Sequence, residues 1–199
     1  MQEMSTQLLL VRHGQTPWNA ASRWQGHGDP GLSPLGHAQA AQVAEVLRAE
    51  PGQPWDLVVA SDLERARRTA EILATALRLG VEVDTRLREL DVGAWTGLTR
   101  AEIDARDPET LRAFETGEPS IRPGGGESRV EIRVRTRDCV RSLVERFAGR
   151  RLIVVTHLGV IRALVPGAEP GNGARIPVVA EDIAERAIDF GRRAGDGPV

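Results

Sequence analysis

The chain has 199 residues, 41% hydrophobic and 27% charged, with a formal net charge of −2. That is enough apolar mass for the core of one α/β domain, expected over 1–199, and a charge so near zero excludes a globally basic surface for nucleic acid or an anionic membrane. All 26 basic residues are arginine, a bias read as compositional, and the lone cysteine, Cys139, excludes an internal disulfide.

At the N-terminus, MQEMSTQ lacks a basic region followed by an apolar stretch, so no signal peptide is expected. No apolar run approaches the roughly 20 residues that span a membrane, and a cytoplasmic setting follows as the expectation. Gln7 to Val11 is a continuous apolar run, predicted as a strand covered on both faces. Arg12-His13-Gly14 follows, then a loop from Gln15 to Leu32. Ser33-Pro34 opens a helix to about Ala49, with Ala40, Val43, Ala44 and Leu47 on its apolar stripe.

Trp55 to Ala60 is the second predicted strand. Ser61-Asp62 is expected to cap a helix from Leu63 to about Leu79 that presents Ala66, Ala70, Leu73 and Leu77, with Gly80 as its stop. Val81 to Val83 is a short strand, followed by a loop carrying Glu89. Thr99 to about Phe114 reads as helix broken near Pro108, and Gly117 to Gly126 as loop. Glu127 to Phe147 reads as a long helix with Val130, Val134, Val140, Leu143, Val144 and Phe147 facing inward. Cys139 within it reads as a packed small residue. Leu152 to Val155 is the next strand, with His157 two residues beyond it and a helix from Gly159. Ile176 to Val179 and Ala180 to Arg193 complete the pattern as strand and helix, and the tail is expected to fray. Alternating strands and helices predict a three-layer α/β/α sandwich around a mostly parallel sheet.

In such a sheet ligands bind beyond the C-terminal strand ends. Arg12-His13, Ser61-Asp62 leading to Arg65, and Thr156-His157 each lie just past a strand. Two histidines and two arginines are thus predicted to meet at one rim, with helix N-termini facing the same space, an arrangement suited to a small anion. The four histidines lack metal-ligand spacing, so neither metal nor cofactor is expected. His27 and His37 read as surface residues, and Trp18, Trp24 and Trp95 as packing, with Trp24 a possible wall of the pocket.

The run Leu10-Val11-Arg12-His13-Gly14-Gln15-Thr16-Pro17-Trp18-Asn19 resembles the signature of the histidine phosphatase superfamily, in its phosphoglycerate-mutase-like branch. The resemblance continues, in order, through Gln25-Gly26, Asp29, Leu32-Ser33-Pro34-Leu35-Gly36, Ser61 to Ala66, Leu87 to Leu90, Gly93 to Gly97, Gly125 to Ser128 and Thr156-His157. It implies that His13 attacks phosphorus and carries the phosphoryl group. It implies that Arg12, Arg65 and His157 bind the phosphate oxygens, and that Thr16 and Asn19 line the same pocket. It implies that Glu89 protonates the leaving oxygen, and that Gln25 and Gly26 border the organic part of a small phosphorylated metabolite. A neutral imidazole is nucleophilic at neutral pH, and fixed guanidinium charge can serve the transition state. A homodimer is a common arrangement among such relatives.

Two other functions compete. A mutase of the branch carries Arg-His-Tyr near the acid, where this chain has Arg88-Glu89-Leu90-Asp91 and no tyrosine anywhere, so hydrolysis is favoured. A non-catalytic phosphate binder would have lost a reacting group, and none is missing. The chain departs from the branch at Leu158, where glycine is frequent, at Thr96, and at Gly31 before Leu32. Its segment after Val165 is short. Leu87 to Ile103 with Gly124 to Val130 is similar to actinobacterial glucosyl-3-phosphoglycerate phosphatases. Arg122, a candidate contact for a second acidic group, is read as solvated.

Overall fold

The computed structural model describes residues 5–185. Its sheet has five strands, β1 (Gln7–Arg12), β2 (Leu57–Ala60), β3 (Val81–Val83), β4 (Arg151–Thr156) and β5 (Arg175–Val179), in the order β3-β2-β4-β1-β5. The first four run parallel, and β5 lies antiparallel on β1. The central strands are continuous apolar runs because both of their faces are covered. Leu9, Val11, Val58, Ala60, Ile153 and Val155 face one core with α2 (Pro34–Ala49) and α3 (Glu64–Leu77). Leu8, Leu10, Val59, Leu152 and Val154, the alternate positions, face the other. That second core is closed by α6 (Arg129–Arg146), α7 (Leu158–Leu164) and α8 (Ala180–Glu185), with Ile103 of α4 (Arg100–Arg106) and Leu111 of α5 (Pro108–Glu115). The three-layer sandwich is therefore as predicted.

Several boundaries differ. The loop from Gln15 to Leu32 contains a single helical turn, α1 (Pro17–Ala20), nucleated by a reciprocal cap between Thr16 and Asn19. The long helix begins at Arg129 because Ser128 caps it and Glu131 bonds back to the Ser128 N–H. Val134, expected inside, is 47% exposed, and Thr136 and Ile132 take the inner face instead. Val81 and Val83 lie on the outer edge strand and are exposed. Of the predicted helix from Ala180 to Arg193, the part after Glu185 lies outside the described residues, as does the tail.

Two backbone segments interlock beside the end of β1. A Cβ on Gly14 would fall 2.3 Å from the Gly36 carbonyl oxygen, and a Cβ on Gly36 only 2.0 Å from that of Gln15. The loop after β1 thus rests directly on the first turn of α2, a contact only glycine permits.

Candidate active site

Parallel pairing of β1 with β4 puts Arg12 opposite Thr156, and the His13 N–H donates to the Thr156 carbonyl at 3.0 Å. The residues just past each strand end, His13 and His157, therefore stand side by side, ring centroids 5.1 Å apart and planes tilted by 56°. Both are buried. His13 Nδ1 lies 2.7 Å from the Gly14 carbonyl oxygen. A carbonyl only accepts, so Nδ1 carries the proton and Nε2 carries the lone pair. Neither ring nitrogen of His157 has a hydrogen-bond partner, although both are buried. Burial, reinforced by Arg65, holds the pKa of each imidazole well below the usual histidine value.

Arg65 is fully buried in the first turn of α3. Its Nη2 donates to the Gly26 carbonyl at 2.8 Å, and its Nη1 to the Gly28 carbonyl at 2.8 Å and to Asp29 Oδ1 at 3.3 Å. The expected cap from Ser61-Asp62 is not what closes this helix. Asp29, far away in sequence, accepts from the backbone N–H groups of Glu64 and Arg65. Asp62 instead pairs with Arg88, and Ser61 Oγ accepts only from Leu63 N–H at 3.3 Å. One carboxylate thereby satisfies orphan donors at a helix start and neutralises the cation placed there against the dipole. Arg12 Nη1 donates to the Pro170 carbonyl at 2.8 Å, while its Nε, like that of Arg65, is buried without a partner. Burial lowers the pKa of both guanidiniums and Glu89 opposes the shift; guanidinium remains charged at neutral pH.

Glu89 reaches the same cleft. Its Oε1 accepts from Leu90 N–H at 2.8 Å and from Gly159 N–H at 2.9 Å, while Oε2 is more weakly engaged at 3.3 Å. A side chain at Gly159 would collide with it, since a Cβ there would sit 2.2 Å from Oε1. The Glu89 carbonyl accepts from Arg135 Nη2 at 3.0 Å and lies 2.9 Å from His27 Nε2. His27 is thus half-buried against the Glu89 backbone rather than a free surface residue. Leu158 is the first residue of α7 and lines the cleft.

Asn19, Gln25 and Gly26 line the cleft with Arg12, His13 and Arg65, a cavity of about 640 Å³. Thr16 does not reach it. It is buried behind, donating to Gln25 Oε1 at 2.9 Å and accepting at the cap of α1. The Asn19 carbonyl oxygen accepts from Thr16 N–H and from Asn172 Nδ2, which leaves its NH₂ for a ligand. Asn172 also donates to the His13 carbonyl at 3.0 Å. Asn172, Asp29 as a cap, and Arg135 escaped the sequence reading, because each acts across more than thirty residues through a bond no local pattern announces. Arg122 is exposed and paired with Glu131, as a surface residue should be. His37 is exposed, whereas Trp24 packs edge-on against Trp95 and lines the cleft. Cys139 is buried, its thiol pushed up to about 12 by desolvation. Among the described residues no group of three or more His, Cys, Asp or Glu could hold a metal ion, and no helix is long and apolar enough to cross a membrane.

Residues 8–184 match the family model of the histidine phosphatase superfamily (branch 1). A glucosyl-3-phosphoglycerate phosphatase of Mycobacterium tuberculosis is 45% identical over 165 residues, covering 79% of this chain and 72% of that protein. A metal-independent phosphoserine phosphatase of Arabidopsis thaliana is 38% identical over 161 residues, covering 80% and 67%. The solved structure of a mycobacterial glucosyl-3-phosphoglycerate phosphatase with VO3 superposes with a TM-score of 0.77 at 41% identity, covering 86% of this chain and 91% of that one.

Proposed function

Because the chain belongs to the histidine phosphatase superfamily, with phosphatases rather than mutases among its close relatives, we propose that it hydrolyses a small phosphorylated metabolite through a phosphohistidine on His13. The observation that carries this reading is the pairing of His13 and His157 at 5.1 Å, with Arg12, Arg65 and Glu89 opening on one cleft.

In the first step, the Nε2 lone pair of His13 attacks phosphorus in line with the leaving oxygen. The N–P bond forms as the P–O bond to the organic group breaks, and Glu89 gives that oxygen its proton. Arg12 and Arg65 take the negative charge of the equatorial oxygens, each through a fixed guanidinium that needs no reorganisation. The unbonded nitrogens of His157 supply a further contact to an oxygen. In the second step, Glu89, now ionised, takes a proton from water. That water attacks phosphorus, the N–P bond breaks, and phosphate leaves. The depressed pKa of His13 supports its role, because the ring reaches the reaction uncharged, with Nε2 free of a proton. The Nδ1–H bond to Gly14 keeps Nε2 the attacking atom through both steps. We read residues 1–199 as one catalytic domain and, on the buried single cysteine, its setting as cytoplasmic.

The test is a panel of phosphomonoesters assayed with a strong chelator present. The parent should release phosphate, and His13→Ala should lose at least ~10³-fold in kcat. Binding of phosphate without turnover by the parent defeats the proposal.

A further inference from the structure

Glu89 lies on a segment that is neither helix nor strand, between short helical turns at Thr85–Leu87 and Gly93–Trp95. With no ladder of its own, this segment is held from outside. Thr156 Oγ1 donates to the Leu87 carbonyl at 2.9 Å, and the Glu127 N–H donates to the Asp91 carbonyl at 2.9 Å. The remaining grip comes from Arg135, in the second turn of α6. Its Nη1 donates to the Arg86 carbonyl at 2.7 Å and its Nη2 to the Glu89 carbonyl at 3.0 Å. The other edge of the guanidinium forms a bidentate pair with Glu127, Nε to Oε1 at 2.6 Å and Nη2 to Oε2 at 2.7 Å. Both side chains are largely buried, 21% and 16% exposed, and neither is among the residues lining the cleft.

Satisfying loop carbonyls requires only donors, which water can supply. A planar fork aimed by a bidentate carboxylate supplies them at fixed angles as well. The Glu89 carbonyl adjoins its Cα, so Arg135 fixes where that side chain starts. The N–H groups of Leu90 and Gly159 fix where it ends. A general acid works only within hydrogen-bond reach of the leaving oxygen, and displacements near 1 Å are costly.

We propose that Arg135 is a positioning residue for proton transfer to the leaving group: with Glu127 behind it, it sets the reach of Glu89 without touching substrate. The proposal rests on the reading of the cleft as a phosphomonoesterase site with Glu89 as its acid.

The test compares kcat/KM for p-nitrophenyl phosphate and phenyl phosphate. This constant ends at release of the first product, so loss of phosphate from His13 does not enter it. p-Nitrophenolate departs readily without a proton and phenolate does not, so phenyl phosphate depends more on the acid. Glu89→Gln is the reference and should depress phenyl phosphate far more than p-nitrophenyl phosphate. Arg135→Lys keeps the charge but loses the fork. It should show the same selectivity, with phenyl phosphate falling about tenfold further than p-nitrophenyl phosphate. Inhibition by inorganic phosphate, seated by other residues, should not change. Glu127→Gln leaves Arg135 its loop carbonyls and only slackens its aim, so it should show a smaller loss of the same kind; it decides the matter should Arg135→Lys not fold. A loss shared equally by both esters, a loss accompanied by weaker phosphate inhibition, or unchanged selectivity overturns the proposal. If Glu89→Gln itself shows no selective loss, the assignment of the acid falls. If the parent hydrolyses neither ester, the phosphatase reading falls, and in both cases this inference falls with it.

Discussion

At the scale of single residues, the two buried imidazoles tie stability to pH. Each has a folded pKa below its unfolded value of about 6.5, with burial as the main cause. Falling pH therefore protonates the unfolded chain first. The stability these rings allow is complete above about pH 6.5 and is lost as pH drops from there toward their folded pKa values. The slope is about 1.4 kcal/mol per pH unit for each ring, or about 2.7 for both. Urea midpoints measured in phosphate-free buffer between pH 7.5 and 5 should show it. His13→Asn, which removes one titrating ring, should roughly halve this component; equal slopes in parent and variant would contradict it. Asp29 makes a second residue-scale case. Asp29→Asn keeps the shape but loses the charge facing Arg65, so kcat/KM should fall about tenfold and stability by about 1 to 2 kcal/mol. An unchanged KM would mean that Gly26 and Gly28 hold Arg65 unaided.

At the scale of elements, His13, the proposed nucleophile, is placed by backbone packing. Gly36→Ala puts a methyl group 2.0 Å from the Gln15 carbonyl oxygen, so either α2 or the loop carrying His13 must shift. Activity should drop by about 10² while far-UV circular dichroism stays native, since displacements near 1 Å are enough. Full activity in this variant would show the interlock to be dispensable. The strands were legible because β1 and β4 are uninterrupted apolar runs covered on both faces. Helix α6 was legible in extent and in most of its orientation, since Val140 and Leu143 are buried and Val144 and Phe147 pack on the core, but Val134 is turned to solvent and polar Thr136 is buried. The cap of α3 could not be read locally at all, since its acceptor arrives from Asp29 on another loop. Of the site, His13, Arg12, Arg65 and His157 followed from strand-end positions. Glu89 followed only from resemblance, because nothing in a loop sequence announces which backbone N–H groups will grip a carboxylate.

For the molecule as a whole, the cleft gathers parts of the chain that are remote in sequence, so whatever fills it should fasten them together. An oxyanion bound only by the folded state stabilises by mass action, about 2.7 kcal/mol at a concentration of 100 times Kd. Vanadate should raise the melting temperature of the parent progressively with concentration. Arg65→Ala should show little of that rise, and an equal response in both proteins would place the anion elsewhere. Arg129 and Arg133 of α6 and Arg162 of α7 also line the cleft, which was invisible from sequence because only packing sets these two helices on one surface.

One bond has a consequence for how such a protein can change over generations. Glu89 is hooked by the N–H of Gly159, two positions after His157. The carboxylate proposed as proton donor and the second imidazole are therefore both held by a single carrier, the start of α7. Sliding that carrier by a fraction of an ångström displaces both at once. Drift beneath α7 is thus expected to erode phosphate seating and leaving-group protonation in parallel, with few variants able to discard one and keep the other.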